Sequence, residues 1–183
     1  MVVSEGEHDL VLRSREGDSQ AFAALVAAHQ HMIHSVTFRM TGSLADAEDL
    51  AQETFIQAYQ QLTQFRGDAP FGAWLRRIAI NRCLNWRQRD VRRARLHQEW
   101  SLEQAAASDS TGHAVARHVQ DALARLNPKQ RAAVVLTVYE GLSHAEAAKA
   151  LGCSETTVSW RVFAARAKLK RFLKHAKEKG ALA

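Results

Sequence analysis

Apolar residues recur at intervals of three or four along most of the chain, the spacing that places them on one face of an α-helix. Three such stretches precede a small and polar segment, and four follow it. In order, the stretches are residues 18–41, 43–65, 68–95, 115–126, 128–141, 143–151 and 154–170. The pattern predicts an all-α protein of two small helical domains joined by a flexible linker.

The polar segment between the two groups of helices sets the predicted domain boundaries. Residues 101–113 are mostly small and polar, and Leu102 is their only large apolar residue, which is typical of a linker. The predicted parts are an N-terminal extension of residues 1–16, a first domain of residues 17–98, a linker of residues 99–114, and a second domain of residues 115–183 that ends in a basic tail.

Composition narrows the class of protein without identifying it. The 183 residues include only 9 Gly and 2 Pro, which suits helices better than a turn-rich all-β fold. No uncharged stretch reaches the ~18–20 apolar residues that cross a bilayer, and residues 1–15 are too acidic and mixed for a secretory signal. Cys83 and Cys153 are too few for a disulfide framework. We expect a cytoplasmic protein without membrane insertion.

The net charge of +6 conceals an uneven distribution of charge along the chain. Residues 1–98 contain 12 basic and 11 acidic residues. Residues 99–114 contain 3 acidic residues and no basic residue, and residues 115–183 contain 13 basic and 5 acidic residues. Two windows, residues 76–95 and 161–179, each hold 8 basic residues and a single acid. Such concentrated positive charge favours contact with a polyanion such as nucleic acid.

The second predicted helix carries an apolar residue on its polar face. A helical wheel at about 100° per residue puts Ile56 opposite the apolar face of this helix. The polar residues of that side are Glu48, Asp49, Gln52, Glu53, Gln57 and Gln60. An apolar side chain ringed by carboxylates suits a partner with a basic rim. Cover by the chain's own N-terminus, or simple exposure, is the alternative.

The third predicted helix becomes strongly basic after an apolar start. Residues 76–95 contain 8 Arg, interleaved with Asn81, Asn85 and Trp86. Because arginine binds phosphate, and amide and aromatic side chains suit unstacked bases, the combination fits single-stranded or melting DNA. A basic helix that is merely solvated is the other interpretation.

Residues 143–167 have the spacing of a helix-turn-helix. Ser143 and Glu146 form a capping-box pattern, Ala148 is small where the two helices would cross, and Gly152 permits the turn. Such a motif inserts its second helix into the DNA major groove. Candidate groove contacts are Glu155, Thr156, Ser159, Trp160 and Phe163, and candidate phosphate contacts are Arg161, Arg166 and Lys168. The alternative is a helical hairpin that binds nothing.

Three histidines, His29, His31 and His34, are close in sequence without forming a metal-site pattern. His29 and His31 point about 160° apart on a helix, and no Cys or carboxylate completes a ligand set. The chain has no G-x-S-x-G motif, P-loop or Cys-His dyad. We predict no metal, cofactor or catalytic site, and a small enzyme using these histidines is the alternative. A redox role for Cys83 or Cys153 stays open.

Four segments resemble the bacterial sigma-70 family, specifically its extracytoplasmic-function (ECF, group IV) sigma factors, in order and spacing. They are GDSQAFAALVAAHQHMI, DAEDLAQETFIQAY, FRGDAPFGAWLRRIAINRCLNW and ALARLNPKQRAAVVLTVYEGLSHAEAAKALGCSETTVSWRVFAARAKL. The resemblance covers residues 17–98 and 117–173. It implies a sigma-2 helix bundle and a sigma-4 helix-turn-helix domain, in a non-enzymatic subunit that binds RNA polymerase and directs promoter-specific transcription initiation.

The resemblance also implies roles for individual residues. The β′ clamp helices of core polymerase would contact Asp46, Glu48, Asp49, Gln52, Glu53 and Ile56. The minus-ten DNA would be captured and held by Phe65, Arg66, Gly67, Asp68, Phe71, Trp74, Arg77, Asn81 and Asn85. The minus-thirty-five DNA would be read by Glu155, Thr156, Thr157, Ser159, Trp160, Arg161, Phe163 and Arg166. The family further implies the polymerase β flap and an anti-sigma factor as partners.

The recognition helix departs from the commonest family pattern. Basic residues frequently stand where this chain has Ser159 and Ala164, and a small residue where it has Trp160. The minus-thirty-five sequence therefore cannot be transferred from better-known relatives. A stand-alone helix-turn-helix regulator is the alternative function, although the acidic second helix and the arginine-rich third helix argue against it.

Overall fold

The computed structural model describes residues 5–96 and 119–178, with side chains described for residues 6–88 and 119–172. Within these ranges the regular secondary structure is helical and no strand occurs, so the all-α prediction is confirmed. The helices are α1 (Glu5–Arg15), α2 (Ser19–Thr41), α3 (Leu44–Gln60), α4 (Phe71–Leu96), α5 (119–124), α6 (Pro128–Val134), α7 (His144–Leu151) and α8 (Glu155–Glu178). A 3-10 turn, Leu62–Gln64, follows α3, and a π-helical turn, Val135–Tyr139, continues α6.

The backbone divides into two compact units, and the division falls inside α4, after Cys83, with Ala150–Gly152 grouped in the first unit. The predicted linker, residues 99–114, lies outside the described residues. The division precedes it because, among the described side chains, α4 contributes buried residues to the first unit only as far as Cys83. In the described part of the chain, no helix is both long and apolar enough to span a membrane.

Helices of the first unit begin and end where local capping chemistry predicts. Asp18 caps α2, because its carboxylate accepts hydrogen bonds from the backbone N–H groups of Gln20 (2.9 Å) and Ala21 (3.1 Å). Gly42 ends α2 with a φ of 84°, and Ser43 caps α3. The helix α2 packs against both α1 and α3. The buried core of this unit includes Leu25, Ile33, Val36, Leu50, Leu75 and Ile80.

The helix α1 lies in the range that the sequence analysis treated only as an extension. It packs against α2 and buries Val11, which is 2% exposed, and Ser14, which is 4% exposed. Its apolar residues Leu10, Val11 and Leu12 are adjacent in sequence, so they do not show the spacing of three or four that reveals an amphipathic helix. The ordered first unit therefore starts well before residue 17.

The second unit is built around the contact between α6 and α8. Asn127 caps α6 by accepting a hydrogen bond from the N–H of Gln130 (2.8 Å), and Pro128 is the first helical residue, as predicted. Arg131 is 2% exposed and donates from Nε to the carbonyl of Leu123 (2.8 Å), and burial lowers its pKa to about 10. The core contains Leu123, Leu126, Val134 and Ala165, with Val119 and Leu169 packed against it.

Candidate functional site

Ile56 lies on the exposed side of α3, as the helical wheel predicts, and is 48% exposed. It borders a groove between α2 and α3 with a volume of about 730 Å³. Much of the lining is apolar or aromatic, and its members include Phe22, Val26, Phe55, Ile56 and Tyr59. The sequence anomaly at Ile56 is therefore part of a larger apolar surface.

Half of this groove comes from α2, which sequence analysis did not predict. The rings of Phe22 and Tyr59 meet edge to face with 4.9 Å between their centroids, and Tyr59 is 49% exposed. By its spacing Phe22 belongs to the apolar face of its own helix, so its position in the sequence gives no sign of the groove. The available signal was the position of Tyr59 beside Ile56 on the α3 wheel, because it shows that the exposed apolar area extends beyond one residue.

The polar residues of α3 differ in how accessible they are to a partner. Glu53 forms an ion pair with Arg82 of α4, and Arg82 also donates from Nε to Gln57 Oε1 (2.8 Å). Asp46 is half-buried in the first turn of α3. The exposed members of the predicted polymerase-binding set, besides Ile56, are Glu48, Asp49, Gln52 and Glu53, and Glu53 is the one held by an ion pair.

Residues 65–70 form the loop between the 3-10 turn and α4, and the aromatic residues at its two ends point inward. Phe65 is 7% exposed and Phe71 is 1% exposed. Their ring centroids are 5.4 Å apart, and they lie 5.3 and 5.6 Å, respectively, from the ring of Trp74. The predicted contact of Phe65 and Phe71 with DNA would require this cluster to open. In this structure both rings anchor the loop instead.

The tip of the same loop is exposed and polar. Arg66, Gly67 and Asp68 all lie at the surface. Gly67 has a φ of 80°, in the left-handed region that favours glycine, which allows the chain to reverse there. The helix α4 then begins at Phe71, slightly later than the sequence predicted, because the carbonyl of Pro70 supplies the first helical acceptor.

Arg77, Asn81 and Asn85 form an exposed row along α4. They are four residues apart, so they lie on one face of the helix with about 5–6 Å between successive Cβ atoms. The row presents one guanidinium and two amides. These groups can bind phosphate oxygens and the hydrogen-bonding edges of unpaired bases.

Two residues near the N-terminus contact the anchors of the loop, and sequence analysis missed both. Arg15 donates from Nε to the carbonyl of Leu62 (3.2 Å), and its guanidinium carbon lies 6.0 Å from the centre of the Phe65 ring. His29 packs beside Phe71, with 5.7 Å between ring centroids. No sequence signal could have found these contacts, because they join residues more than 40 positions apart.

The helix-turn-helix forms as predicted from α7, a short turn and α8. The N–H of Ser143 donates to the carboxylate of Glu146 (2.8 Å), and the N–H of Glu146 donates to Ser143 Oγ (3.2 Å). Gly152 has a φ of 59°, and the N–H of Cys153 donates a hydrogen bond to the carbonyl of Ala148 (3.1 Å). These bonds define the exit from α7 and the direction in which α8 starts.

The exposed surface of α8 carries two large aromatic side chains. Trp160 is 67% exposed and Phe163 is 65% exposed. Their rings stack with 5.7 Å between centroids and 28° between planes. The other exposed members of the predicted minus-thirty-five set are Glu155, Thr156 and Arg166.

Two hydroxyl groups of the same helix are engaged within the protein. Ser159 Oγ lies 2.8 Å from His144 Nδ1 and donates to the carbonyl of Glu155 (3.1 Å). Thr157 Oγ1 lies 2.8 Å from Ser154 Oγ. A base edge would have to compete with these contacts, so both hydroxyls are weaker base readers than the sequence alone suggests.

The three histidines occupy different surroundings. His29 Nε2 lies 2.7 Å from Glu7 Oε1, whereas His31 and His34 line the groove between α2 and α3. Among the described residues, no group of three or more His, Cys, Asp or Glu side chains is placed to hold a metal ion. The enzyme alternative therefore finds no metal cluster in this part of the chain.

Comparison with known proteins identifies the family. The models for Sigma-70 region 2 and for Sigma-70, region 4 match residues 25–93 and 116–169. The chain is 38% identical to the ECF RNA polymerase sigma factor SigM of Mycobacterium tuberculosis over 159 residues, which cover 86% of this chain and 79% of that protein. It is 34% identical to the RNA polymerase sigma-H factor of Pseudomonas aeruginosa over 190 residues, covering 94% and 96% of the two chains.

The chain is also similar to a solved structure. The sigma factor RpoE of Bartonella quintana, in complex with the anti-sigma factor NepR, matches with a TM-score of 0.72 and 25% identity over 84% of this chain and 96% of that chain. Both sigma-70 regions thus occur in their expected order, and two curated sigma factors align over most of their length. The chain belongs to the sigma-70 family, within its group of ECF RNA polymerase sigma factors.

Proposed function

We propose that this sigma factor binds core RNA polymerase through the groove of α2 and α3, traps the minus-ten strand with loop 65–70 and α4, and reads the minus-thirty-five element with α8. As a member of its family it is a non-enzymatic factor that directs transcription initiation. The assignment of the polymerase-binding surface rests on the exposure of Ile56. This apolar side chain is 48% exposed on an acidic helix and lies beside an apolar groove. An exposed apolar residue among carboxylates suits contact with a protein better than contact with DNA phosphates.

The sign of the charge distinguishes the proposed polymerase surface from the proposed DNA surfaces. The exposed carboxylates of Glu48 and Asp49 lie on the same helix as Ile56 and would repel DNA phosphates. An apolar centre with an acidic rim suits a protein partner whose own rim is basic. The β′ clamp helices of core polymerase are the partner that we propose for this groove.

The minus-ten surface combines an exposed loop tip with the row on α4. A base that leaves the duplex has to be unstacked, which costs a few kcal/mol, so the protein must stabilise the open strand. Arg66 and Arg77 offer guanidinium groups to phosphates, and Asn81 and Asn85 offer amides to the edges of unpaired bases. The buried rings of Phe65 and Phe71 support this surface by fixing the shape of the loop.

We also propose the domain limits from the sequence, with sigma-2 over residues 17–98 and sigma-4 over residues 115–183, and with α1 added to sigma-2. The linker of residues 99–114 could reach about 53–58 Å when fully extended. Two promoter elements about 17 base pairs apart are separated by roughly 58 Å. A single chain of this length can therefore contact both elements.

Two further partners and a location follow from the family. The relative from Bartonella quintana was solved with an anti-sigma factor, and this likeness supports an anti-sigma partner for this chain. The polymerase β flap is the proposed contact of sigma-4. Because sigma factors act on RNA polymerase, we infer that this protein works in the cytoplasm.

Reconstitution with core polymerase tests the proposal. We expect the chain, mixed with core polymerase free of sigma factors, to give discrete transcripts from a library of random duplex promoters. Ile56→Glu should weaken binding to core polymerase by about tenfold or more, because it places a charge in an apolar interface. Leu12→Glu is the matched control, since Leu12 is 42% exposed on α1 and lies outside the groove.

The outcomes distinguish the candidate functions. Transcripts that depend on the chain, together with a defect confined to Ile56→Glu, would support the polymerase surface. Equal binding of Ile56→Glu and wild type would remove the groove from the interface. Sequence-specific DNA binding without polymerase, and without any holoenzyme, would favour the stand-alone helix-turn-helix regulator.

A further inference from the structure

An apolar ridge runs along α8 on the side opposite its own core. On a wheel of about 100° per residue, Val158, Val162 and Ala165 define the buried side. Four exposed residues lie about 140–200° away from Val158, namely Thr156, Trp160, Phe163 and Ala167. This ridge lies on the exposed side of the helix, opposite its buried residues.

The ridge exposes two large aromatic side chains next to each other. Trp160 and Phe163 are 67% and 65% exposed and stack on each other, so each already covers part of its neighbour. Adjacent exposed aromatic side chains of this size mark an interaction surface. The partner must therefore offer apolar groups at this point.

Basic side chains flank the ridge on both sides. On the same wheel Arg166 and Lys170 lie on one flank, and Arg161 and Lys168 lie on the other. A partner that fits must be apolar in the middle and anionic on both edges. The major groove of duplex DNA has this pattern wherever thymine occurs, because the C5-methyl group lies on its floor and a phosphate strand runs along each wall.

Two hydroxyl groups on this helix are engaged within the protein. The hydroxyl of Ser159 is engaged with His144 Nδ1 (2.8 Å), and the hydroxyl of Thr157 with Ser154 Oγ (2.8 Å). A base that bonds to either hydroxyl would have to share or displace one of these internal contacts. Contact with methyl groups therefore carries a larger share of base discrimination here than hydrogen bonds from these positions.

We propose that Trp160 and Phe163 are specificity-determining residues that read thymine methyl groups in the minus-thirty-five element. The inference rests on the proposed function and deepens it, since it names the chemical group that the recognition helix selects. It requires thymine at one or two positions of the upstream element. Trp160→Ala and Phe163→Ala should each lower discrimination between thymine and uracil without unfolding the domain, because both side chains are largely exposed.

Deoxyuridine provides the test, because it differs from thymidine only by the methyl group. Promoters selected by the wild-type holoenzyme from a random library are rebuilt with deoxyuridine in the upstream element alone. Wild-type holoenzyme should bind the rebuilt promoters about fourfold more weakly for each methyl group contacted. Trp160→Ala and Phe163→Ala should each show a smaller uracil penalty than wild type, and the double variant should bind both DNAs equally. Arg166→Gln is the control, since loss of a phosphate contact should weaken binding to both DNAs by the same factor.

Three results would overturn the inference while the proposed function stands: selected upstream elements without thymine, equal binding of both DNAs by wild type, or an unchanged uracil penalty in Trp160→Ala. If Trp160→Ala and Phe163→Ala bind and transcribe every promoter as wild type does, the ridge is a surface for another protein and not for DNA. Absence of any promoter-specific transcript from the wild-type chain would instead contradict the proposed function itself.

Discussion

Arg15 donates a hydrogen bond from Nε to the main-chain carbonyl of Leu62, 3.2 Å away and 47 residues later in the sequence. The bond ties the last residue of α1 to the 3-10 turn that leads into loop 65–70. The same guanidinium lies 6.0 Å from the ring of Phe65, the buried anchor of that loop. The N-terminal helix therefore braces the loop that we propose for minus-ten capture.

Arg15→Ala should impair promoter melting more than polymerase binding. Loss of the bond removes about 1 kcal/mol from the support of the loop, which corresponds to roughly a fivefold slower formation of the open complex. The rate can be followed by permanganate reactivity of thymines in the minus-ten region. Leu12→Ala is the control on the same helix, because it shortens an exposed side chain without touching the loop. Equal defects in both variants would show that Arg15 does not brace the loop.

The row of Arg77, Asn81 and Asn85 should bind the separated strand rather than the duplex. We expect Asn81→Ala and Asn85→Ala each to weaken binding of the holoenzyme to a single-stranded minus-ten oligonucleotide, by up to about tenfold for each lost hydrogen bond. Binding to duplex upstream DNA should stay unchanged. Gln20→Ala, an exposed change on α2, serves as the control. An equal loss for single-stranded and duplex DNA would show that the row acts only through general charge and packing.

Asp18 should make the stability of the first unit sensitive to acid. Hydrogen bonds from the N–H of Ala21 and from the side chain of Arg13 lower the pKa of its carboxyl below the ordinary value of 3.8. Because the pKa is lower in the folded state, the carboxylate stabilises the fold above about pH 4, and this contribution is lost as the pH falls through the lowered pKa.

Thermal unfolding of Asp18→Asn across a pH series measures this contribution. Asparagine is also a good helix cap but cannot pair with Arg13 as an anion. The difference in Tm from wild type should be largest near neutral pH and should shrink below about pH 4. Asp9→Asn, an exposed residue 3.6 Å from Arg13, is the control and should show a smaller change. A difference that stays constant down to pH 2 would contradict the assignment.

The two cysteines should differ sharply in reactivity. Cys83 is 1% exposed, and burial raises the pKa of its thiol to about 12, so it is protonated at neutral pH. Cys153 is partly exposed in the turn before α8 and accepts a hydrogen bond from Arg161 Nη1 (3.3 Å). We expect one fast thiol in the native protein, measured with a disulfide reagent. Cys153→Ser should abolish the fast reaction, and Cys83→Ser should leave it intact. A fast reaction of Cys83 in the native protein would contradict the predicted difference in reactivity.

Local chemistry made several helix starts predictable from the sequence. Asp18, Ser43 and Asn127 each cap the helix that the pattern predicted, because a cap depends only on residues within about three positions. The wheel of α3 placed Ile56 on the outer face for the same reason. The helix-turn-helix was equally visible, since its capping box lies within a few residues of chain.

Only the tertiary structure decided which side chains meet. It brought Phe22 of α2 against Tyr59 of α3 to complete the groove, and it buried Phe65 and Phe71, for which the family resemblance implies contact with DNA. Neither outcome is encoded in spacing, because each depends on how separate helices pack. The sequence by itself determined where the capped helices α2, α3 and α6 start, which faces are charged and which family the residues resemble. The packing of the helices decided which side chains on those faces are exposed, because burial depends on neighbours that are distant in the chain.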